Sequence, residues 1–293
     1  MLSKKTVYII AGPTASGKSA RALDLAQQLD GVVINADSLQ IYKDLPILAA
    51  IPDAKEMVDI PHRLYGFLDA EETYSAQKWR DTAEAEIHRA FADGQQPIIC
   101  GGTGFYIATM TKGLSPMPDV PDDVRARFTQ QAADEGAPSL HEYIQDHDPE
   151  TAARLHPNDT QRLIRACEIF AATGKPLSYW QAQPRIGAIQ GVDFEIEIIM
   201  PPKDELYARC NRRFEIMVHD MGALDEATAL DARIASGKVA PDAAVTRTLG
   251  FKELQRHLHG EISLEQAIEL AQIETRHYAK RQRTFFGNQD LLA

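Results

Sequence analysis

Short apolar runs alternate along this chain with longer stretches in which apolar residues recur every three or four positions. That is the arrangement of an α/β chain. Residues 6–11 form a partly β-branched apolar run and read as a buried strand. From Lys18 onward Ala22, Leu23, Ala26 and Leu29 recur at helical spacing, and Asp30-Gly31 closes the helix. Residues 32–37 are a second strand. Residues 46–61, with prolines at both ends and at Pro52, read as a loop over the sheet's ligand-binding edge. A helix is predicted over 73–91, with Trp79, Ala83, Ile87, Ala90 and Phe91 toward the core, and Asp93-Gly94 ends it. Residues 97–100 make a third strand, followed at once by Gly101-Gly102-Thr103-Gly104 and a short helix over 105–110.

After Gly113 the pattern changes. Residues 115–121 are a proline-rich connector. Helical segments follow over 122–135, 139–146 and 149–172, and in the last of these Asn158 or Asp159 could cap a fresh helix. No strong strand pattern appears between 113 and 191, so this stretch reads as a helical insertion. Residues 194–200 return to strand. Helices are predicted over 205–221, after Gly250 (Phe251, Leu254, Leu258) and over 264–286.

Composition narrows the picture. At 293 residues, 44% of them hydrophobic, there is room for one large domain or two modest ones. No run reaches transmembrane length, so no membrane association is expected. Lys4-Lys5 before an apolar run could suggest a signal peptide, but the run ends quickly in a glycine-rich loop, as a first core strand would. Cys100, Cys167 and Cys210 lie far apart with no metal-binding spacing, which points to a reducing cytoplasm. A formal net charge of −11 argues mildly against a nucleic-acid partner, although a local basic face would suffice for one. A monomer is expected.

The chemistry starts in the first strand–helix connection. Gly12-Pro13-Thr14-Ala15-Ser16-Gly17-Lys18-Ser19 matches Gly-x-x-x-x-Gly-Lys-Ser, the phosphate-binding loop, with a strand before it and a helix after it. Its glycines let the backbone approach a phosphate, its amides and the helix N-terminus supply partial positive charge, and Lys18 adds a full one. The Ser19 hydroxyl can ligate Mg2+. The expected fold is therefore α/β: a P-loop NTPase-like parallel sheet flanked by helices, its core in 1–117 and 190–293, with a mostly helical insertion at 118–189. Ligand groups in such sheets collect beyond the carboxyl ends of strands, where Asp37 falls. By local sequence Asp37 is equally a helix cap, an indirect Mg2+ ligand or a catalytic carboxylate. The Gly-Gly-Thr-Gly turn ends another strand, and either close ligand approach or tight strand–helix packing explains its glycines. In the last helix Arg276, Lys280 and Arg283 share one face with Arg281 beside them, more cations than a helix C-terminus ordinarily collects, which suggests a phosphate or nucleic-acid contact.

Taken in order, GPTASGKS (12–19), INADSLQIY (34–42), PIICGGTGFY (97–106), RLHPNDTQRLIRACEIFAATGKPLS (154–178), TLGFKEL (248–254) and TRHYAKRQRTFF (275–286) resemble the tRNA dimethylallyltransferases, or isopentenyl-tRNA transferases, over nearly the whole chain. The resemblance implies transfer of a dimethylallyl group from dimethylallyl diphosphate to N6 of the adenosine at tRNA position 37, with release of diphosphate. It implies Asp37 as the base and Thr103 as the donor to the bridging oxygen. Residues 12–19 with Arg213 would hold the diphosphate, and Mg2+ would sit on Ser19. For tRNA it implies Asp37, Ser38, Leu39, Gln40, Thr103, Arg125, Gln161, Arg162, Leu163, Ile164 and Arg165, and the basic last helix adds Arg276, Lys280, Arg281 and Arg283. The insertion would grip the anticodon arm. Three segments depart from the family pattern: Leu48-Ala49-Ala50-Ile51-Pro52 stands for Gly-Thr-Ala-Lys-Pro, Pro61-His62-Arg63-Leu64 for Pro-His-His-Leu, and Phe285-Phe286-Gly287 for Trp-Phe-Arg. The eukaryotic members' zinc finger does not appear, which implies a bacterial-type enzyme. Competing readings are a small-molecule kinase on the same loop, an isopentenyltransferase acting on free adenylate, and a nucleotide-gated RNA-binding protein without chemistry.

Overall fold

A computed structural model describes residues 5–288. The chain divides into two compact units. One comprises residues up to 111 together with those from 189 onward, and the other comprises 112–188. The second unit thus starts six residues before the position expected from the sequence.

The first unit is built on β1 (Lys5–Ala11), β2 (Gly31–Asn35), β3 (His62–Arg63), β4 (Gln96–Gly101) and β5 (Val192–Ile198). They form one sheet in the order β3-β2-β4-β1-β5, every pairing parallel. Between them run α1 (Lys18–Leu29), α2 (Ala54–Asp59), α3 (Ala76–Ala92) and α4 (Gly104–Lys112). A parallel sheet needs crossover helices on its faces, so its strands are apolar on both sides. Alternate residues divide accordingly. Val7, Ile9, Ile34 and Ile99 face Trp79, Ile87 and Tyr106, while Ile10, Val33 and Ile98 face Ala22, Leu25 and Ala26. The register sets Ala11 opposite both Gly101 and Ile198, and Asn35 opposite Cys100. Four strands therefore end at one level, and the loops that follow them start side by side.

The second unit holds α5 (Asp122–Glu135), α6 (Ala137–His147), α7 (Pro149–Arg154), α8 (Thr160–Thr173) and α9 (Leu177–Gln181) around Phe128, Leu140, Ile144, Leu163 and Cys167. Within 149–172 a fresh helix starts as expected, and the cap is Asp159, whose side chain accepts from Arg162 N at 3.4 Å at the start of α8.

After β5 the chain returns to the first unit with α10 (Lys203–His219), α11 (Ala223–Ala235), a 3-10 turn (Ala244–Arg247), α12 (Phe251–Leu258) and α13 (Leu264–Phe286). Ser263 and Gln266 form a capping box at the start of α13. These helices share a core with Ile41, Leu45 and Leu48. One expectation is corrected: the stretch 46–61 is not loop throughout, since it contains α2. Leu29, at the end of α1, is 39% exposed. Helix α11 has no counterpart among the helices expected from the sequence. Its buried stripe is Ala223, Ala227 and Leu230, two of them alanines. Among the described residues no helix is long and apolar enough to cross a membrane.

Candidate active site

The loop after β1 wraps from Gly12 to Gly17, and Gly17 takes a left-handed conformation (φ 93°) at the start of α1. Gly12 is needed for space: a Cβ there would lie 2.5 Å from the Ile199 carbonyl oxygen beyond β5. Lys18 Nζ donates back to Pro13 O at 3.3 Å. Arg213, from α10, donates to Thr14 Oγ1 at 2.5 Å, and Arg209 donates to Ser16 O at 3.3 Å. Burial lowers the Lys18 pKa below its ordinary value, with Cys100 and Asp37 opposing and Arg213 adding to the shift. Burial likewise lowers Arg213. Two desolvated cations held together in this way are costly until an anion arrives.

The second wall is the junction of β2 and β4. Ala36 N donates to Cys100 O at 2.8 Å, and Thr103 N donates to Ala36 O at 3.1 Å. Gly101 permits this: a Cβ there would stand 2.2 Å from the Ala36 carbonyl. Asn35, fully buried, pins the base of the turn. Its side chain accepts from Asp37 N at 2.8 Å and donates to Asp37 O and Leu64 O, both at 3.0 Å. Asp37 Oδ1 accepts from Leu39 N at 3.1 Å, so Asp37 caps a turn rather than a helix. Thr103 Oγ1 accepts from Ser38 N at 3.0 Å. The aspartate and the threonine are thereby fixed side by side by backbone geometry.

Thr14–Ser19, Asp37, Arg209, Arg212 and Arg213 line one cleft of about 420 Å3, closed on one side by Gln40, Ala49, Ala50 and Ile216. Four cations and a single carboxylate face it, on a chain whose net charge is −11. Ser16 also lines the cleft, and its hydroxyl is buried with no hydrogen-bond partner. A buried orphan donor beside cations suits a phosphate oxygen. Beside Ser19, burial pushes the Cys100 thiol up to about 11 and keeps it protonated. Among the described residues no group of three His, Cys, Asp or Glu side chains could hold a metal unaided.

Other expected site residues are placed differently. Gln40 Nε2 donates to Ala49 O at 3.0 Å and Ala50 O at 2.7 Å, so its amide holds the loop that replaces Gly-Thr-Ala-Lys-Pro. In α8, Leu163 is fully buried in the helical core, which corrects its reading as an RNA contact; Ile164 packs against the same core. Arg125 and Arg165 both bond the buried Glu168, at 3.3 and 2.5 Å, and Arg162 pairs with Asp159 at the surface. On α13, Arg276 donates to Asn211 at 2.7 Å and Arg283 to Pro201 O at 2.5 Å. Those two anchor the helix, while Lys280 and Arg281 are exposed. The sequence reading assigned no role to Arg209, Arg212, Asn35, Glu168 or Gln282. Asn35 and Gln282 sit inside the motifs quoted above, but nothing in their local pattern says what they bond.

A family model described as IPP transferase matches residues 40–289. The chain is 45% identical over 289 residues to a tRNA dimethylallyltransferase of Rhodospirillum centenum, covering 99% of this chain and 90% of that one. It is also 45% identical to one of Azorhizobium caulinodans, covering 98% and 90%. A solved eukaryotic dimethylallyltransferase acting on tRNA superposes with a TM-score of 0.81 at 30% identity, over 96% of this chain and 70% of that one. The tRNA isopentenylpyrophosphate transferase of Bacillus halodurans gives 0.67 at 33% identity, over 98% and 88%. The P-loop NTPase-like parallel sheet expected from the sequence is the architecture observed.

Proposed function

The chain belongs to the IPP transferase family, and on that premise we propose that it transfers a dimethylallyl group from dimethylallyl diphosphate to N6 of the adenosine at tRNA position 37. One observation carries the chemistry: a single carboxylate, Asp37, shares a cleft with the phosphate loop, Lys18 and Arg213. That is the equipment for displacing a diphosphate by a weak nucleophile that must shed a proton.

In the proposed step N6 attacks C1 of the dimethylallyl group. The N6–C1 bond forms, the C1–O bond breaks, the electron pair leaves on diphosphate, and the N6 proton passes to Asp37. The adenine amino lone pair is delocalised into its ring, so a base that accepts the proton during attack lowers the barrier, by about 10²–10⁴-fold in typical cases. Asp37 keeps one oxygen on Leu39 N and has Oδ2 for this task. Thr103 donates to the bridging oxygen as it gains charge. Lys18, Arg213 and the amides of residues 12–19 bind the diphosphate, and the Ser16 hydroxyl gains a partner. Mg2+ would be held by the Ser19 hydroxyl and phosphate oxygens, supplying positive charge against the leaving group, which suits a cation that prefers few protein ligands.

The adenosine has to leave its stack to reach Asp37. Asp37, Ser38, Leu39, Gln40 and Thr103 would meet the extruded nucleotide. Arg125, Gln161, Arg162 and Arg165 of the helical unit, with Lys280 and Arg281 of α13, would contact the anticodon arm through phosphates. Such an enzyme works where tRNA is, which fits a cytoplasmic location.

The test is incubation with Mg2+, unmodified anticodon stem-loop RNA and dimethylallyl diphosphate, without ATP, followed by mass spectrometry of the RNA. A dimethylallyl mass gain on the adenosine 3′ of the anticodon is expected. No gain, with ATP consumed on a small acceptor in a parallel incubation that contains it, would show a kinase.

A further inference from the structure

We propose that Gln282 is a positioning residue for this reaction, an amide clamp that holds the phosphate loop against the Gly-Gly-Thr-Gly turn and sets the leaving diphosphate relative to Asp37 and Thr103. For its chemistry the proposal rests on the function proposed above.

Gln282 lies on α13, 268 residues from one partner and 180 from the other. Its Oε1 accepts from Thr14 N at 2.8 Å, and its Nε2 donates to Gly102 O at 2.9 Å. A backbone N–H only donates and a carbonyl only accepts, so the amide's orientation is fixed by its partners. It is 5% exposed, so water does not replace either bond. A carboxylate accepts but does not donate, and a thioether offers no donor.

The amide sits where the site's parts meet. A Cβ on Gly102 would lie 2.3 Å from Gln282 Nε2, 3.3 Å from Gly12 O and 3.4 Å from Asp37 Oδ2. The first residue of the phosphate loop, the carboxylate and the clamp thus surround one small volume. Thr14 is held twice, its main chain by Gln282 and its side chain by Arg213, so a shift at Gln282 moves the residue that Arg213 grips. The same face of α13 makes two further contacts one turn away on either side. The Phe285 ring fills the space over Gly104, 2.1 Å from where a Cβ would stand, and Tyr278 lies beside the Thr103 side chain and Asp37. Tyr278, Gln282 and Phe285 together seat both glycine-rich turns on one rigid helix. Enzymes depend on such support, because catalytic groups must be held to within about half an ångström.

A satisfied glutamine in a core would lower stability when removed and would leave the rate of a folded enzyme unchanged. Three variants separate the two roles. Gln282→Met keeps length and volume and removes both hydrogen bonds; kcat should fall at least tenfold while KM for dimethylallyl diphosphate changes less than threefold. Phe286→Leu thins the buried face of the same helix where it meets the sheet, and should lower Tm with kcat within threefold. Gln282→Glu keeps the acceptor for Thr14 and regains the donor for Gly102 only when protonated. Its kcat divided by the wild-type kcat should therefore rise as pH falls, the ratio removing the titration both proteins share. The clamp is overturned if Gln282→Met keeps kcat within threefold, or if Phe286→Leu loses as much rate at a matched Tm. Amide exchange at Thr14 is read on the same proteins. Faster exchange in Gln282→Met is expected, and unchanged exchange refutes the clamp whatever the reaction. Faster exchange in Gln282→Met, with a wild type that transfers nothing, would keep the clamp and sink the functional reading.

Discussion

Gly101→Ala is the sharpest perturbation of the β2–β4 junction. The added Cβ would stand 2.2 Å from both the carbonyl carbon and the oxygen of Ala36, and 2.7 Å from its Cα. An ordinary contact begins at 3.4 Å, so the two strand ends must part by about 1.2 Å. All three atoms are backbone and cannot swing aside. Parting them stretches the Thr103 N to Ala36 O bond, now 3.1 Å, and shifts Asp37, the next residue, away from Thr103. Overpacking of this kind costs about 1–3 kcal/mol, and each kcal/mol lowers Tm by about 2–4 °C in a chain approaching this size. A displacement of about 1 Å at reacting groups costs about 10²-fold in rate, or roughly 2.7 kcal/mol. Initial rates of RNA prenylation at saturating substrates, with a thermal melt of the same sample, read both quantities. The expected result is a kcat lower by about 100-fold in a protein that still melts cooperatively several degrees below the wild type. A kcat within threefold of wild type and an unshifted Tm would refute the claim that this backbone approach sets the site.

Arg213→Met removes a buried cation that touches Thr14; KM for dimethylallyl diphosphate should rise by an order of magnitude or more, about 1.4 kcal/mol per tenfold, in a Michaelis series. Lys280→Ala with Arg281→Ala should weaken binding of a stem-loop RNA and flatten its dependence on log salt by up to about two, whereas Arg276→Ala, which loses the bond to Asn211, should act mainly on Tm. Glu226 accepts from Ile47 N and Leu48 N and so holds the loop that lines the cleft, and burial raises its pKa above the ordinary 4.5. A raised carboxyl favours the folded state most when protonated, so the stability of wild type relative to Glu226→Gln should be greatest below pH 4.5 and fall as pH rises through the raised value, read as the difference in Tm.

Much of this arrangement was legible in the chain. A buried parallel sheet shows itself as short apolar runs, and the strand–loop–helix around Gly12–Ser19 carries its ligand class in its spacing. Asp37 and Thr103 were legible as residues just beyond strand ends, because parallel strands that end at one level bring their loops together. What escaped was long-range or negative. Gln282 acts through partners 268 and 180 residues away, and it stood among cations that drew attention to charge. Leu163 belongs to a segment that the resemblance assigns to tRNA, though its apolar position in the helix buries its side chain. The cations of α13 share a face by spacing, but only packing reveals that Arg276 and Arg283 are spent on Asn211 and Pro201. Helix α11 went unassigned although Ala223, Leu224, Ala227, Leu230 and Ile234 recur at helical spacing.

The central claim is that Asp37 accepts the proton of the attacking nitrogen in the cleft that binds the diphosphate. Asp37→Asn tests it most directly, because asparagine keeps the acceptor for Leu39 N and removes only the basic oxygen. Single-turnover transfer from dimethylallyl diphosphate to stem-loop RNA, measured beside RNA affinity, should show a rate lower by about 10²–10⁴-fold with Kd within threefold. A rate close to wild type, or a loss confined to RNA binding, would contradict the account and return Asp37 to the role of a turn cap.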